Sequence, residues 1–302
     1  MDEKISKVEI ELLSAAIDRI VMQEVLEDEL LGTLPKVDEL NDSNKIYRGK
    51  VSVLFVDMRE STKLPEKYSA EQLVKVYRSY IRVVVQAIRY SGGIVRDFMG
   101  DGVLALFIDD TDGTSEDKAV HAARYITTVI DKFLNPVLDQ KMKHRISCGI
   151  GIHTGEISLS KVGMRGKEQN ENSENEFGIA WIGNSTNLAC KQSSAVECGT
   201  TFISTSTYAA LSDVNKSEKW KQVEISKGTN ILKGYIAEQY YLLLDEECEP
   251  CIAKSCLNTK NTTDIFDEKI EKITQRAEAL GLKQQKLDEK AQQLTRKEKS
   301  LN

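Results

Sequence analysis

The chain has 302 residues, 40% of them hydrophobic, with 41 basic against 47 acidic side chains and a formal net charge of -6. That length allows one large domain with extensions, or two ordinary domains, and a sizeable core. No run of Lys and Arg interleaves with aromatics, which argues against a nucleic-acid partner. No apolar stretch approaches the roughly 18 residues that span a bilayer, and the opening "MDEKISKVEI" lacks the apolar centre of a signal peptide. The expectation is a soluble, cytoplasmic protein without membrane insertion; small anionic substrates stay open, because a pocket can be positive on an acidic protein.

In chain order, Ile5, Leu12, Leu13, Ile17, Ile20 and Val21 recur at helical spacing, which predicts an amphipathic packing helix over residues 3–32, ended by "GTLPK". "KVSVLFVDM" is a short apolar, β-branched run of the kind found in buried strands. A helix follows over 70–90, opened by Ser69 and Gln72 as a capping box and closed at Gly92-Gly93. "GIVRDFMGDGVLALF" predicts two strands joined by a tight turn at Gly100-Asp101-Gly102. "SEDKAVHAARYITTVIDKFL" is the next amphipathic helix and "HRISCGIGIHTGEI" the next strand, with a glycine-rich exit. Lys167 to Glu176, "KEQNENSENE", is a solvated loop, and "TTFIST", "TNILKG" and "EQYYLLLD" are read as further strands. The order β, α, β-hairpin, α, then more β and α predicts an α+β fold with helices against a mostly antiparallel sheet.

Six cysteines, Cys148, Cys190, Cys198, Cys248, Cys251 and Cys256, are scattered in a way that suits reduced thiols. "CEPCIAKSC" could hold half a zinc site, but no second half follows and the segment is read as a linker. Beyond it, Phe266, Ile273, Leu280, Leu287, Leu294 and Leu301 fall seven apart, the pattern of a parallel two-stranded coiled coil. Gln284, small alanines and Gly281 weaken that seam, Gly281 by about 1 kcal/mol, so a helix packed back on its own domain is the alternative. The chain therefore divides into an N-terminal helical segment (1–45), a central α+β domain (46–246) and a C-terminal linker with a coiled-coil-like heptad helix (247–302).

Two aspartates stand out from apolar surroundings. Asp57 ends the strand "VSVLFVDM", and the loop after it reaches Ser61 and Thr62, whose backbone N–H groups could wrap phosphate oxygens. Asp101 sits in the Gly-Asp-Gly turn; alone that turn is an ordinary hairpin connection. Two carboxylates at the ends of neighbouring strands beside such a loop make a hard-oxygen site suited to Mg²⁺ or Mn²⁺.

Taken in order, "VLFVDMREST", "GGIVRDFMGDGVLALF", "GIGIHTGEI", "WIGNSTNLACKQSS" and "ILKGY" resemble the catalytic domain of class III nucleotidyl cyclases, over about residues 48–245. The resemblance implies a ferredoxin-like βαββαβ core and a head-to-tail homodimer with two active sites, each shared between the subunits. It implies two divalent metal ions, Mn²⁺ or Mg²⁺, on Asp57 and Asp101 with the Met58 carbonyl assisting. The ribose 3′-hydroxyl would then attack the α-phosphorus in line and expel pyrophosphate without a dedicated side-chain base. This suits a chain whose histidines are His121, His144 and His153, the last read as a brace for its loop.

By the same resemblance, the partner subunit contributes Asn187, which orients the ribose, and Lys191, where most members carry the arginine that stabilises the pentavalent phosphate. Lysine keeps the charge and loses the planar fork; a solvated helix lysine is the alternative. Lys233 matches the triphosphate lysine, and Arg165 sits near the position of a second phosphate cation, with an ordinary surface arginine as its alternative.

In this family the residue four before the second metal aspartate reads the base, commonly lysine for adenine and glutamate for guanine. Here it is Asp97. The second reader, three before the glycine of "GN", is Ala180, so neither purine pair is present. A carboxylate accepts hydrogen bonds and so favours the exocyclic amine of cytosine or the N1–H and N2 edge of guanine over uracil's single N3–H. With its N-terminal helix, "DMREST", Lys191, acidic loop and helical tail, the chain is similar to the pyrimidine nucleotide cyclases of bacterial Pycsar antiphage systems. That implies CTP, ahead of UTP, as substrate and a cyclic nucleotide read by a separate effector. The alternatives are a uridylate cyclase, a guanylate or adenylate cyclase of bacterial signalling, and a degenerate dimeric scaffold or nucleotide sensor. Lys191 and Ala180 suggest the scaffold; both aspartates, Asn187 and Lys233 argue against it.

Overall fold

The computed structural model describes residues 4–30, 32–164, 176–227 and 230–244. Arg165, residues 167–175 of the acidic loop, the cysteine cluster at 248–256 and the heptad at 266–301 lie outside the described residues.

The first helix, α1 (Lys7–Met22), starts at a capping box in which Ser6 and Glu9 satisfy each other's backbone N–H groups. It corrects the expectation of a packing helix over 3–32: none of its residues is buried, and the chain leaves it to form β1 (Leu26–Glu29). The Asn44 amide closes its end, donating to the carbonyls of Ile20 and Gln23. The periodicity reported an apolar stripe correctly, but a stripe does not say what it packs against.

The core follows: β2 (Lys45–Met58), α2 (Ala70–Tyr90), β3 (Ile94–Met99), β4 (Gly102–Phe107), α3 (Ser115–Val129), a π-turn at Ile130–Leu134 running into α4 (Asn135–Met142), and β5 (Cys148–Met164). Ser69 and Gln72 form the expected capping box of α2. Then come β6 (Glu176–Ile182), α5 (Ser185–Ala195), β7 (Thr200–Ser204), α6 (Thr205–Ala210), β8 (Lys221–Lys227) and β9 (Asn230–Glu238). The sheet order is β3-β4-β2-β5-β7-β9-β8, with β1 added on β2 and β6 on β5. Among the described residues only β1–β2 and β5–β7 run parallel, so the α+β expectation with a mostly antiparallel sheet holds and β2-α2-β3-β4-α3-β5 is its βαββαβ centre.

Within "EQYYLLLD", residues 239–244 are not a strand. β9 stops at Glu238, Gln239 takes a left-handed φ of 46°, and the following residues lie along α3. There Arg124 donates to the Tyr241 carbonyl at 3.1 Å and Leu242 N–H to Thr128 Oγ1 at 2.9 Å, so helix side chains replace a ladder partner. β6 and β8 are strands that the sequence reading did not separate. Among the described residues Cys148, Cys190 and Cys198 are free thiols, as expected.

Strand alternation gives the sheet two different faces. Leu54, Val56, Val103, Ala105, Phe107 and Ile150 turn to one side, where Val76, Tyr80 and Val84 of α2 and Ile126 of α3 close the main core. Val53, Phe55, Leu104 and Ile157 turn to the other, met by Ala189 of α5. Between Val95 and Asp97 the β3–β4 register shifts by one, leaving Arg96 as an extra residue: Val95 lies opposite Ala105, but Asp97 opposite Leu104.

Just before β5, buried Asn135 mimics a strand partner for Ile146, donating Nδ2 to its carbonyl at 2.9 Å and accepting its N–H at 2.8 Å. Asn135→Ala strips both buried backbone groups of their partner and is expected to lower stability by about 2–4 kcal/mol in urea unfolding. A loss below about 0.5 kcal/mol would contradict that role.

Candidate active site

Antiparallel pairing of β2 with β4 runs as far as Val56 opposite Val103. It therefore delivers Asp57, next along β2, and Asp101, in the turn before β4, side by side. The Met58 N–H donates to Asp101 Oδ2 at 3.2 Å and ties the two strand ends together. Burial, and then the charge of Asp101, push the Asp57 carboxyl up to about 6, with Arg59 opposing them. After Met58, Glu60 takes a left-handed φ of 57° and turns the chain into the short 3₁₀ segment Ser61–Glu66. Buried Leu64 pins that segment, so the backbone of half-buried Ser61 and exposed Thr62 follows the carboxylates at once.

The donor set fits a hard divalent cation. Two carboxylates held together against their repulsion are only partly offset by Arg59, and among the described residues no third His, Cys, Asp or Glu joins them. That suits Mg²⁺ or Mn²⁺, which take remaining oxygens from phosphates and water, and does not suit a closed zinc site.

The sequence reading missed Arg59. Its Nη1 lies 3.7 Å from Asp57 Oδ2, while Nη2 donates to the carbonyls of Ser193 and, at 3.1 Å, Val196, at the end of α5. The signal for it was in "CGIG". A Cβ at Gly149 would overlap the Arg59 guanidinium, and one at Gly151 would overlap the Ala189 carbonyl and Ser193 N–H of α5. The first glycine clears a path for the arginine, and the second lets a helix backbone lie directly on β5.

Asn187 and Lys191 stand one turn apart on the exposed side of α5, whose opposite side buries Ala189, Gln192 and Ser193. Neither makes a hydrogen bond or ion pair with Asp57 or Asp101. Lys233 lies directly across from Glu224 and pairs with it at 3.1 Å, in the open. It borders a cleft of about 290 Å³ with Ser204, Thr205, Ser206, Gln192 and His153. Burial lowers the His153 pKa, so its ring is neutral at pH 7 and adds no charge there.

Asp97 is exposed, with Oδ1 accepting the Phe98 N–H at 2.8 Å. Ala180 lies opposite Ser160 on β6. Trp181, next to it, carries the Arg96 guanidinium 5.4 Å above its ring. The neighbours of Asp97 and Ala180 thus touch, while Ala180, one residue before Trp181 on the strand, faces the other side of the sheet. The structure gathers Asp57, Met58, Asp101, Ser61 and Thr62 in one place; Asp97 and Ala180 are linked through the Arg96–Trp181 contact of their neighbours, and Asn187, Lys191 and Lys233 make no hydrogen bond or ion pair with the carboxylate pair.

A carboxyl raised from 3.8 to about 6 binds more protons folded than unfolded, so the stability of the metal-free protein falls as pH rises from about 4 to 6. With the side chain one-third exposed, solvent screening reduces the full shift of two units to about 1–2 kcal/mol. Asp57→Asn should therefore raise the metal-free melting temperature at pH 8 by a few degrees and leave it unchanged near pH 4. Equal effects at both pH values would remove the electrostatic explanation.

The profile of the adenylate and guanylate cyclase catalytic domain matches residues 44–244. A uridylate cyclase of Xanthomonas perforans is 28% identical over 175 residues, which cover 57% of this chain and 70% of that protein. A cytidylate cyclase of Escherichia coli is 30% identical over 134 residues, 42% of this chain and 29% of the relative, so the chain spans less than a third of that protein. The crystal structure of the guanylyl cyclase Cya2 superposes with a TM-score of 0.50 at 26% identity, covering 63% of this chain and 93% of that one. The chain belongs to the adenylate and guanylate cyclase catalytic domain family, the class III nucleotidyl cyclases.

Proposed function

We propose that the chain is a pyrimidine nucleotide cyclase that converts CTP to 3′,5′-cyclic CMP and pyrophosphate. The pyrimidine class is supported by the relatives named uridylate and cytidylate cyclase. The observation that carries CTP ahead of UTP is Asp97, an exposed carboxylate at the position that the resemblance makes base-reading, turned by the β3 bulge to the same sheet side as Asp57. It accepts the exocyclic amine of cytosine, whereas the carbonyls flanking uracil's N3–H repel it. Ala180 adds no competing donor.

In this reading the sites lie between two copies in a head-to-tail homodimer. One protomer supplies Asp57, Met58, Asp101, Ser61 and Thr62; the other supplies Asp97, Ala180, Asn187, Lys191 and Lys233. Exposed Phe98, Met99 and Ile182 beside the base-reading positions offer apolar surface for a second copy to cover. The ribose O3′ attacks the α-phosphorus and gives its proton to solvent water, the bond from the α-phosphorus to the bridging oxygen of the β-phosphate breaks, and pyrophosphate departs. Two divalent cations, Mn²⁺ or Mg²⁺, held by Asp57, Asp101 and the Met58 carbonyl, would supply the charge that favours the 3′-alkoxide and neutralises the triphosphate.

The backbone amides at Ser61 and Thr62 grip phosphate oxygens, and Asn187 orients the ribose. Lys191 meets the charge growing on the α-phosphate as a point charge rather than a fork. Lys233 exchanges Glu224 for the terminal phosphates, with Arg165 as a second cation there. The product serves as a messenger read by a separate effector in defence against phage, a reading supported by the resemblance to Pycsar cyclases. Similarity to a uridylate cyclase over 70% of that relative favours UTP as the second reading.

Purified protein with Mn²⁺, given each of the four nucleoside triphosphates, is expected to cyclise CTP fastest and UTP next, by product identification. Faster turnover of GTP or ATP refutes the pyrimidine reading. Asp101→Asn should abolish turnover of every nucleotide, while Asp97→Lys should chiefly change which one is chosen. Shared sites are tested by pairing Asp57→Asn in one protomer with Lys191→Ala in the other. Each variant alone should be inactive, and the purified heterodimer should regain one working site. An Asp57→Ala protein that still protects cells in full would point instead to a scaffold without turnover.

A further inference from the structure

We infer that Arg59 is a positioning residue that joins the two active sites of the dimer, holding Asp57 for one site and the helix that carries Asn187 and Lys191 for the other. The inference rests on the shared-site reading above. One planar guanidinium faces both ways: Nη1 toward Asp57 at 3.7 Å, Nη2 onto the carbonyls of Ser193 and Val196. The Ser193 carbonyl lies in the last turn of α5, at the negative end of its dipole, and takes only a long 3.4 Å bond from the Val196 N–H; Val196 is the extended residue just past the helix, so a cation on both carbonyls fixes the helix end to the chain that leaves it. The seat is built into the sheet, since any side chain at Gly149 would displace the arginine. Lys191 lies in the turn of α5 that this grip secures.

The same charge serves two sinks. When a divalent cation occupies Asp57, that carboxylate no longer competes for the guanidinium, and Arg59 bears on the α5 carbonyls alone. Loading one site thereby firms the helix that completes the other.

The working heterodimer of Asp57→Asn and Lys191→Ala separates these roles, because its one live site takes Asp57 from the second protomer and α5 from the first. Arg59→Gln is placed in either protomer in turn, giving two heterodimers of matched composition. In the protomer that supplies α5, it is expected to lower kcat at least about 10-fold at saturating Mn²⁺ without changing the Mn²⁺ needed for half-saturation. In the protomer that supplies Asp57, it should shift half-saturation to lower Mn²⁺, a competing charge having been removed. Arg59→Lys keeps the charge and loses the fork, so it should leave the Mn²⁺ response unchanged and still lower kcat from the α5 side. Unimpaired kcat with either substitution on the α5 side overturns the inference.

A readout without turnover is hydrogen exchange of residues 190–196 in the homodimers. Mn²⁺ alone should slow it in the parent and not in Arg59→Gln; an equal response in both, or none in the parent, also overturns the inference. If the two starting variants are folded but do not complement, the shared-site reading fails, and the exchange experiment still decides whether Arg59 links Asp57 to α5.

Discussion

Two like charges forced together set the terms for the rest of the molecule. The β2–β4 ladder leaves Asp57 and Asp101 no room to separate, and the Met58 N–H fastens one to the backbone of the other's strand. A fold that merely had to be stable would put apolar or oppositely charged residues at those strand ends. Here the cost is accepted where backbone hydrogen bonds on both sides are strong enough to impose it, and Arg59 relieves only part of it. The pair keeps a negative charge that Arg59 offsets only in part, and a divalent cation would neutralise the rest.

The sheet keeps that tension localised by giving its two faces different work. The side under α2 and α3 is closed and apolar around Tyr80, Phe107 and Ile126. A buried chain of hydroxyls crosses the core from Ser115 through Ser52, Thr154 and Thr207 to Ser204, with successive oxygens 2.7–3.1 Å apart. Each hydroxyl is satisfied by the next, so the chain stiffens the strand ends that lead to the Ser204–Ser206 edge of the cleft beside Lys233. The opposite side carries α5, and there Asp57, Asp97 and the exposed face bearing Asn187 and Lys191 are presented.

Much of this was legible because polar residues interrupt apolar strands at places where burial would otherwise reject them. Asp57 and Asp101 announced themselves in that way, and the β, α, β-hairpin, α order followed from changes of period at glycines. What stayed hidden depended on tertiary partners. The stripe on α1 did not reveal that the helix is unburied. "EQYYLLLD" has the composition of a strand, but its backbone is taken by Arg124 and Thr128 of α3. Arg59 lay in a polar stretch that read as loop, and its purpose was written ninety residues later, in glycines that look like ordinary turn formers until the arginine and α5 are placed over them.

Arg96, the residue left over in the β3 bulge, bears on how this protein's specificity can change over generations. In an uninterrupted ladder Asp97 would face Val103 and enter the closed core under α2 and α3; the additional residue turns it outward, opposite Leu104. Deleting one residue before Asp97 would bury a carboxylate among apolar side chains and unfold the strand, whereas replacing Asp97 leaves the ladder untouched. Position 97 is therefore free to vary in identity and fixed in register; under the base-reading role proposed for it, lineages of this fold would drift between nucleobases by substitution, while length changes in the segment are eliminated at the folding step.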